Sequence, residues 1–199
     1  MSIAAATRLL IIRHGETAWN AERRIQGHTD IPLNDTGPQQ ARALAEALTD
    51  SPIHAVYSSD LQRAEETGRI IAASHDAKVI TTPQLRERHF GHIEGKTFID
   101  FEVHFPEESL RWRKRDPNWA PPGGGESLAQ LRDRAALEAR RRHAQAALQR
   151  TPRVVPEIVV VARIDRLDQP LDLAIVAVYF GIHTRTSESR RSTSSGLAM

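Results

Sequence analysis

The sequence contains no cysteine, few aromatic residues and no long apolar run. None of its 199 residues is Cys, and only 5% are Phe, Trp or Tyr. Without cysteine, disulfide bonds and thiolate metal sites are excluded, and a reducing compartment is favoured. No apolar stretch approaches the roughly 20 residues of a membrane-spanning helix, and the run after the N-terminal residues 1–7 is too short for a secretory signal. We therefore expect a cytoplasmic protein without a membrane partner.

Positive and negative charges nearly balance. The 27 Lys and Arg residues face 25 Asp and Glu residues, a formal net charge of +2. A nucleic-acid-binding domain typically has a larger basic excess with interleaved aromatic residues, so no nucleic-acid partner is expected. Arginine supplies most of the positive charge, and its planar guanidinium matches phosphate oxygens. A small phosphorylated substrate is therefore the favoured partner.

Short apolar runs alternate with amphipathic segments along the chain. The runs typical of buried strands are residues 9–12, 55–57, 79–80, 158–161 and 174–180. Helical periodicity follows Asn34, a candidate N-cap, and follows residues 58–60, which we expect to cap the next helix. This alternation predicts an α/β fold, a three-layer α/β/α arrangement with a mainly parallel central sheet. We expect one domain over residues 1–183 and a disordered tail over 184–199.

The remaining segments are less regular. Residues 17–33 are predicted to form a polar loop beside the first strand. The spacing of Phe98, Phe101 and Phe105 predicts a short helix that packs through aromatic contacts. A long helix is expected from residue 126 to about residue 149.

A tetrad of chemical interest, Arg13-His14-Gly15-Glu16, directly follows the first predicted strand. In open α/β sheets, ligands bind beyond the carboxyl ends of the parallel strands. An imidazole beside a guanidinium at that place is suited to bind a phosphate group and attack it. Taken alone, the tetrad is explained equally well by a structural histidine with a solvated arginine neighbour.

Two later residues fit the same chemistry. Arg63 lies in the first turn of the helix that follows the second strand, where the helix N-terminus favours anions. Glu87 lies in a compact loop after the third strand, and a buried carboxyl group there is suited to protonate a leaving group. A surface arginine and a surface ion pair are the alternative interpretations.

Several motifs, in this order, resemble the histidine phosphatase superfamily, specifically its phosphoglycerate mutase-like branch. They are RHGET (13–17), WN (19–20), RIQG (24–27), DIPLN (30–34), YSSDLQRA (57–64), ET (66–67), LRER (85–88), FG (90–91), EG (94–95) and GGES (124–127). The resemblance covers residues 9–161, and it implies a phosphoglycerate mutase-like fold.

The resemblance also implies roles for individual residues. His14 is expected to be the nucleophile that becomes phosphohistidine, with Arg13 and Arg63 as the phosphate clamp and Glu87 as the proton donor. The residues expected to contact phosphate or substrate are Asn20, Gln26 and Gly27. No metal and no other cofactor is expected.

The implied function is that of a metal-independent phosphatase that hydrolyses a small phosphorylated metabolite. Two alternatives stay open: a phosphoglycerate mutase, which returns the phosphoryl group to its substrate, and a catalytically dead protein that binds a phosphorylated ligand. The short stretch between Gly95 and Gly123 favours the phosphatase, because mutases of this fold usually carry a longer insertion there. The sequence leaves the substrate and the oligomeric state open, a homodimer included.

The chain departs from the family after residue 162. The family has a second catalytic histidine after a later apolar strand, but here Arg163 follows that strand. His183 lies in a different context and is not assigned this role. Since losing one transition-state stabiliser reduces the rate by about 10²–10³-fold, we expect an impaired enzyme. Our hypothesis is a reading-frame change near Ala162 or a degenerate gene copy.

Overall fold

The computed structural model describes residues 8–148, 157–161 and 175–177, and its framework is a five-stranded sheet. The strands are β1 (Arg8–Ile12), β2 (Ile53–Ser58), β3 (Lys78–Thr81), β4 (Glu157–Val161) and β5 (Ile175–Ala177). Their order across the sheet is β3-β2-β4-β1-β5, and each neighbouring pair is parallel. The prediction of an α/β fold with a mainly parallel central sheet is therefore confirmed.

The described part of the chain contains six α-helices. They are α1 (Ala18–Ala21), α2 (Gly37–Ala47), α3 (Gln62–Ala73), α4 (Phe98–His104), α5 (Pro106–Lys114) and α6 (Leu128–Leu148), with two short 3-10 helices at Pro83–Leu85 and Gly91–Ile93. α1 interrupts the segment predicted as a continuous loop over 17–33. α4 has the predicted aromatic contacts, since Phe101 packs against Phe105 and Trp112.

Both faces of the sheet are covered. On one face, Leu10, Ile12 and Val56 pack with Ala45 of α2 and Ile71 of α3 in one buried cluster. On the other face, a second cluster joins Tyr57 to Leu85, and Ala55 and Ile80 pack against it. Because side chains alternate between faces along a strand, the apolar run of β2 supplies both clusters.

The start of α2 differs from its prediction. Asn34 is not the N-cap residue, because α2 begins at Gly37 and Thr36 occupies the N-cap position. The Asn34 side chain still acts on this end of the helix: its Oδ1 accepts hydrogen bonds from the N–H groups of Thr36 and Gly37, both at 3.1 Å. The extra residues form an Asx-type turn before the helix.

The cap of α3 also differs from its prediction. Residues 58–60 do not cap this helix; the N–H of its first residue, Gln62, donates to the carboxylate of Asp30 at 2.8 Å. The carboxylate of Asp60 instead binds the guanidinium of Arg86 through two contacts of 2.6 Å. A cap that comes from a distant loop leaves no local sequence signal.

The long helix α6 begins where predicted. Ser127 and Gln130 form a reciprocal capping box, with Ser127 Oγ accepting from the Gln130 N–H at 3.1 Å and Gln130 Oε1 from the Ser127 N–H at 2.8 Å. The last strand, β5, lies inside the predicted segment 174–180. Residues 162–174 and 178–199, which include Arg163, His183 and the predicted tail, lie outside the described residues.

We predict that Ile71→Ala lowers the free energy of unfolding by about 2–5 kcal/mol, because it removes a completely buried side chain from the core (0% exposed). The matched control is Ile99→Ala at a side chain that is 75% exposed, where a change within about 0.5 kcal/mol is expected. Urea denaturation measures both values. Equal effects of the two substitutions would contradict the assignment of the core.

Candidate active site

The register of the sheet aligns the ends of four strands. Val161 of β4 pairs with both Ile12 of β1 and Ser58 of β2, and Ser58 pairs with Thr81 of β3. The segments that follow β1, β2 and β3 therefore leave the sheet at one carboxyl edge. His14 lies in the first segment, Arg63 in the second and Glu87 in the third.

The imidazole of His14 has a defined tautomer. Its Nδ1 lies 2.7 Å from the carbonyl oxygen of Gly15, and its Nε2 lies 3.2 Å from Nε of Arg63. A carbonyl only accepts hydrogen bonds and a guanidinium only donates them. From these partners we assign the proton to Nδ1 and a lone pair to Nε2. Nε2 is therefore the ring nitrogen without a proton in this arrangement.

Arg63 is almost completely buried (1% exposed) at the start of α3. Besides His14, its guanidinium donates to the carbonyl of Gly27 at 2.7 Å and to the carbonyl of Thr29 at 2.9 Å. A buried charge is tolerated when such hydrogen bonds surround it. The structure thus brings three of the predicted site residues together, with Gly27 contributing its backbone carbonyl.

Thr67 joins the segment after β1 to α3, and the sequence analysis missed this role. Its hydroxyl accepts the N–H of Gly15 at 3.0 Å and donates to the carbonyl of Arg63 at 2.7 Å. Thr67 lies four residues after Arg63, so both are on one face of the helix, and this spacing was the available signal. Gly15 itself approaches α2 closely, since a Cβ there would lie 2.5 Å from the carbonyl oxygen of Gly37.

Glu87 is buried (6% exposed), so the surface ion-pair interpretation does not apply to it. Its Oε1 accepts the N–H of Arg88 at 2.9 Å. Its carbonyl oxygen accepts hydrogen bonds from Nε2 of His28 at 2.8 Å and from Arg134 at 3.3 Å. His28 directly follows Gly27, so adjacent residues make the contacts to Glu87 and to Arg63.

An ion pair fixes the loop that carries Glu87. Arg134 binds both carboxylate oxygens of Glu126, at 2.9 and 2.8 Å, and also donates to the carbonyls of Gln84 and Arg86. Burial raises the pKa of Glu126, but the hydrogen bonds and charge of Arg134 outweigh burial and hold this pKa below its ordinary value. The carboxylate therefore stays charged, which keeps Arg134 in place.

The amides of Asn20 and Gln26 have different surroundings. Asn20 Oδ1 accepts the N–H and the hydroxyl of Thr17, both at 3.1 Å, in the capping box of α1. The amide of Gln26 is buried (2% exposed), and neither its oxygen nor its nitrogen has a hydrogen-bond partner among the described residues. A buried amide without a partner is unfavourable by about 1–3 kcal/mol.

Arg13 is exposed and directly follows β1. The N-terminus of α3, which the sequence analysis interpreted as an anion site, already holds the carboxylate of Asp30. The N–H of Gln62 at this helix end is therefore already occupied, and an anion at the site would depend on side chains.

Residues 8–148, 157–161 and 175–177 contain neither a metal-site cluster nor a membrane-spanning helix. No three His, Asp or Glu side chains within these ranges are arranged as a metal site. None of the helices described is both long enough and apolar enough to cross a membrane.

We predict that His28 makes folding pH-dependent. Burial lowers the pKa of His28 from its ordinary value of 6.5, and the hydrogen bond to Glu87 offsets this only partly. Between the lowered pKa and 6.5 the unfolded chain binds more protons, so the free energy of unfolding falls as the pH drops through this window. His28→Gln, which keeps an N–H donor, should show a weaker fall in urea denaturation than wild type.

The control for this prediction is His54→Gln, at an exposed histidine of β2. We expect this variant to keep more of the wild-type pH dependence than His28→Gln does. If His28→Gln follows the wild-type curve, burial of the neutral imidazole does not contribute.

Comparison with known proteins supports the resemblance found in the sequence. The model of the histidine phosphatase superfamily (branch 1) matches residues 9–162. Phosphoglycerate mutase-like protein 4 of Arabidopsis thaliana is 46% identical over 135 residues, which cover 67% of this chain and 59% of that protein. A metal-independent phosphoserine phosphatase of Arabidopsis thaliana is 43% identical over 137 residues, 66% of this chain and 57% of that protein. The chain thus spans less than two thirds of the length of these relatives.

A solved structure has the same fold. A mycobacterial glucosyl-3-phosphoglycerate phosphatase in complex with VO3 superposes with a TM-score of 0.71 at 32% identity, covering 79% of this chain and 75% of that chain. The expected phosphoglycerate mutase-like fold is confirmed by this likeness. The motifs and the fold of this chain, together with the extent of the family match, lead to one conclusion: the chain belongs to the histidine phosphatase superfamily (branch 1).

Proposed function

We propose that this protein is a phosphatase that hydrolyses a small phosphorylated metabolite through a phosphohistidine at His14. The observation that carries the proposal is the hydrogen-bond pair on the imidazole, with Nδ1 bound to a carbonyl and Nε2 facing the Arg63 guanidinium at 3.2 Å. These two hydrogen bonds place the lone pair of Nε2 beside the fixed positive charge of Arg63. The phosphatase names of several relatives support the same reaction class.

In the first step, Nε2 of His14 attacks the phosphorus atom and the bond to the ester oxygen breaks. The carboxyl group of Glu87 gives its proton to the departing oxygen, so that an alcohol leaves. Arg63 and Arg13 stabilise the charge on the phosphoryl oxygens, which is the main requirement of phosphoryl transfer. The Nε–H of Arg63, which faces Nε2 of His14, is already next to the position of the phosphoryl group that Nε2 attacks.

In the second step, water attacks the phosphohistidine and the phosphorus–nitrogen bond breaks. The Glu87 carboxylate takes a proton from this water, which restores the starting protonation state. Inorganic phosphate is the product. None of these steps requires a cofactor.

Besides Arg13 and Arg63, two amides contact the phosphate in this proposal, and Gly27 acts indirectly. Gln26 offers a buried amide that lacks a partner among the described residues. Asn20 offers its NH₂ group, because its Oδ1 is occupied by Thr17. Gly27 acts through its carbonyl on Arg63 rather than by a direct contact.

The second histidine of the family is replaced by Arg163, which lies outside the described residues. The family match ends at residue 162, one position before this replacement. An arginine keeps a positive charge but does not become neutral as an imidazole does. Reduced turnover is therefore part of the proposal, and so is a cytoplasmic location.

We expect an acid-labile phosphoryl label on wild-type protein after incubation with a radiolabelled phosphate ester, and none on His14→Ala. Hydrolysis of p-nitrophenyl phosphate should also require His14. In the variant with Arg163→His and Ile164→Gly, turnover should rise by about 10²–10³-fold if the replaced histidine is the missing stabiliser.

The rival functions give different results in this experiment. If wild type and His14→Ala hydrolyse the ester at the same background rate, and the same holds when both also carry Arg163→His and Ile164→Gly, the protein only binds phosphorylated ligands. Label that passes to phosphoglycerate instead of water would indicate a mutase. A substrate panel then identifies the preferred phosphate ester.

We predict that Glu87→Gln affects substrates according to their leaving group. With an alkyl phosphate, whose alkoxide needs a proton to leave, the rate should fall by about 10²–10⁴-fold. With p-nitrophenyl phosphate, whose phenolate leaves without a proton, the loss should be much smaller. Steady-state kinetics with both substrates measure the difference, and Glu107→Gln at an exposed position of α5 is the control. The comparison uses kcat/KM, which reports only the first step, because loss of the Glu87 base in the second step slows both substrates alike. Equal losses of kcat/KM on the two substrates would show that Glu87 does not protonate the leaving group.

A further inference from the structure

The carboxylate of Glu94 accepts four hydrogen bonds, three from the loop of residues 27–29 beside the site and one from Phe90. Its Oε1 accepts the N–H groups of His28 and Phe90, both at 2.9 Å. Its Oε2 accepts the N–H of Thr29 at 2.8 Å and the Thr29 hydroxyl at 2.5 Å. Only 10% of this side chain is exposed. A carboxylate with this many donors is held in one orientation, and it holds the donors in return.

The loop approaches Glu94 closely at a glycine. Gly27 has a φ of +63°, and a Cβ at this position would lie 2.1 Å from Glu94 Oε1. Any side chain here would both strain the backbone and collide with the carboxylate. The contact between the loop and Glu94 therefore depends on the absence of a side chain at position 27.

One peptide unit connects Glu94 to the guanidinium of Arg63. The N–H of His28 donates to Glu94, and the carbonyl of Gly27, in the same planar peptide, accepts from Arg63 at 2.7 Å. The negative end of this dipole faces the cation and the positive end faces the anion. Thr29 also connects the two side chains, through two successive peptide units: its N–H donates to Glu94, and its carbonyl accepts from Arg63 at 2.9 Å.

We propose that Glu94 is a positioning residue, which orients the two carbonyls that hold Arg63 and thereby holds the Arg63 N–H on Nε2 of His14. Glu94 acts through this loop and not on the substrate. Its kinetic consequence rests on the proposed phosphatase function. Its structural consequence, the state of the His14 imidazole, does not.

The test compares Glu94→Gln with wild type, using ¹⁵N NMR of the His14 ring in the whole chain. Glutamine has the same shape, but its NH₂ group would face two N–H or O–H donors that the carboxylate accepted. Arg63→Lys serves as the reference for a lost Nε contact, and His14→Ala assigns the signals. Glu46→Gln, at an exposed position of α2, is the matched control.

We expect the Nε2 signal of His14 in Glu94→Gln to move from the wild-type position toward that of Arg63→Lys, while Glu46→Gln retains the wild-type spectrum. In the phosphatase assay, kcat should fall by about a hundredfold, the effect of a misplaced catalytic group. A folded Glu94→Gln variant with unchanged His14 signals would overturn the proposal. If wild type has no phosphatase activity, the proposed function fails, and the NMR result still decides the role of Glu94.

Thr29 provides a second pair of variants, for the case in which Glu94→Gln does not fold. Thr29→Val removes one of the four hydrogen bonds, and Thr29→Ser keeps it. The valine variant should shift the His14 signal in the same direction by a smaller amount, and the serine variant should restore it. Identical His14 spectra for valine, serine and wild type would overturn the proposal.

Discussion

The contact between a buried guanidinium and a neutral imidazole is the constraint on which the rest of this site depends. Arg63 is 1% exposed, and a charge in that position is tolerated only where hydrogen bonds replace water. Its hydrogen bonds reach the segment after β1, through His14, and the loop of Gly27 and Thr29. One side chain of α3 thus organises two separate segments, and the same contacts that satisfy its charge also select the tautomer of His14.

Irregular backbone around the site is held in place by charged side chains. Glu94 binds N–H groups of the loop at 28–29, and Arg134 binds the carbonyls of Gln84, Arg86 and Glu87. Backbone groups that are not paired in helices or strands still need partners when they are buried. Here ionised side chains provide them, and charge-assisted hydrogen bonds are stronger than neutral ones. The loops therefore gain the definition that catalytic groups require without regular secondary structure.

Local patterns predicted most of the framework and part of the site. Apolar runs located the strands, and the register of parallel strands explains why His14 and Arg63, both found from motifs, meet at one edge. Contacts between distant segments were not predictable in this way. The capping of α3 by Asp30, 32 residues from Gln62, overturned the expectation of a local cap. The motif containing Glu94 was recognised, but nothing in its spacing indicated which N–H groups its carboxylate would bind.

The position of β4 determines when this site can assemble. β1 and β2 are not neighbours; β4, which comes late in the chain, pairs with both of them, and Val161 aligns the ends of Ile12 and Ser58. Pairing between segments so far apart in the chain is slow and comes late in folding. On the ribosome, β4 emerges after the segments that carry His14 and Arg63, so the first half of the chain cannot form the finished sheet. Maturation of the centre is thereby coupled to synthesis of the C-terminal region.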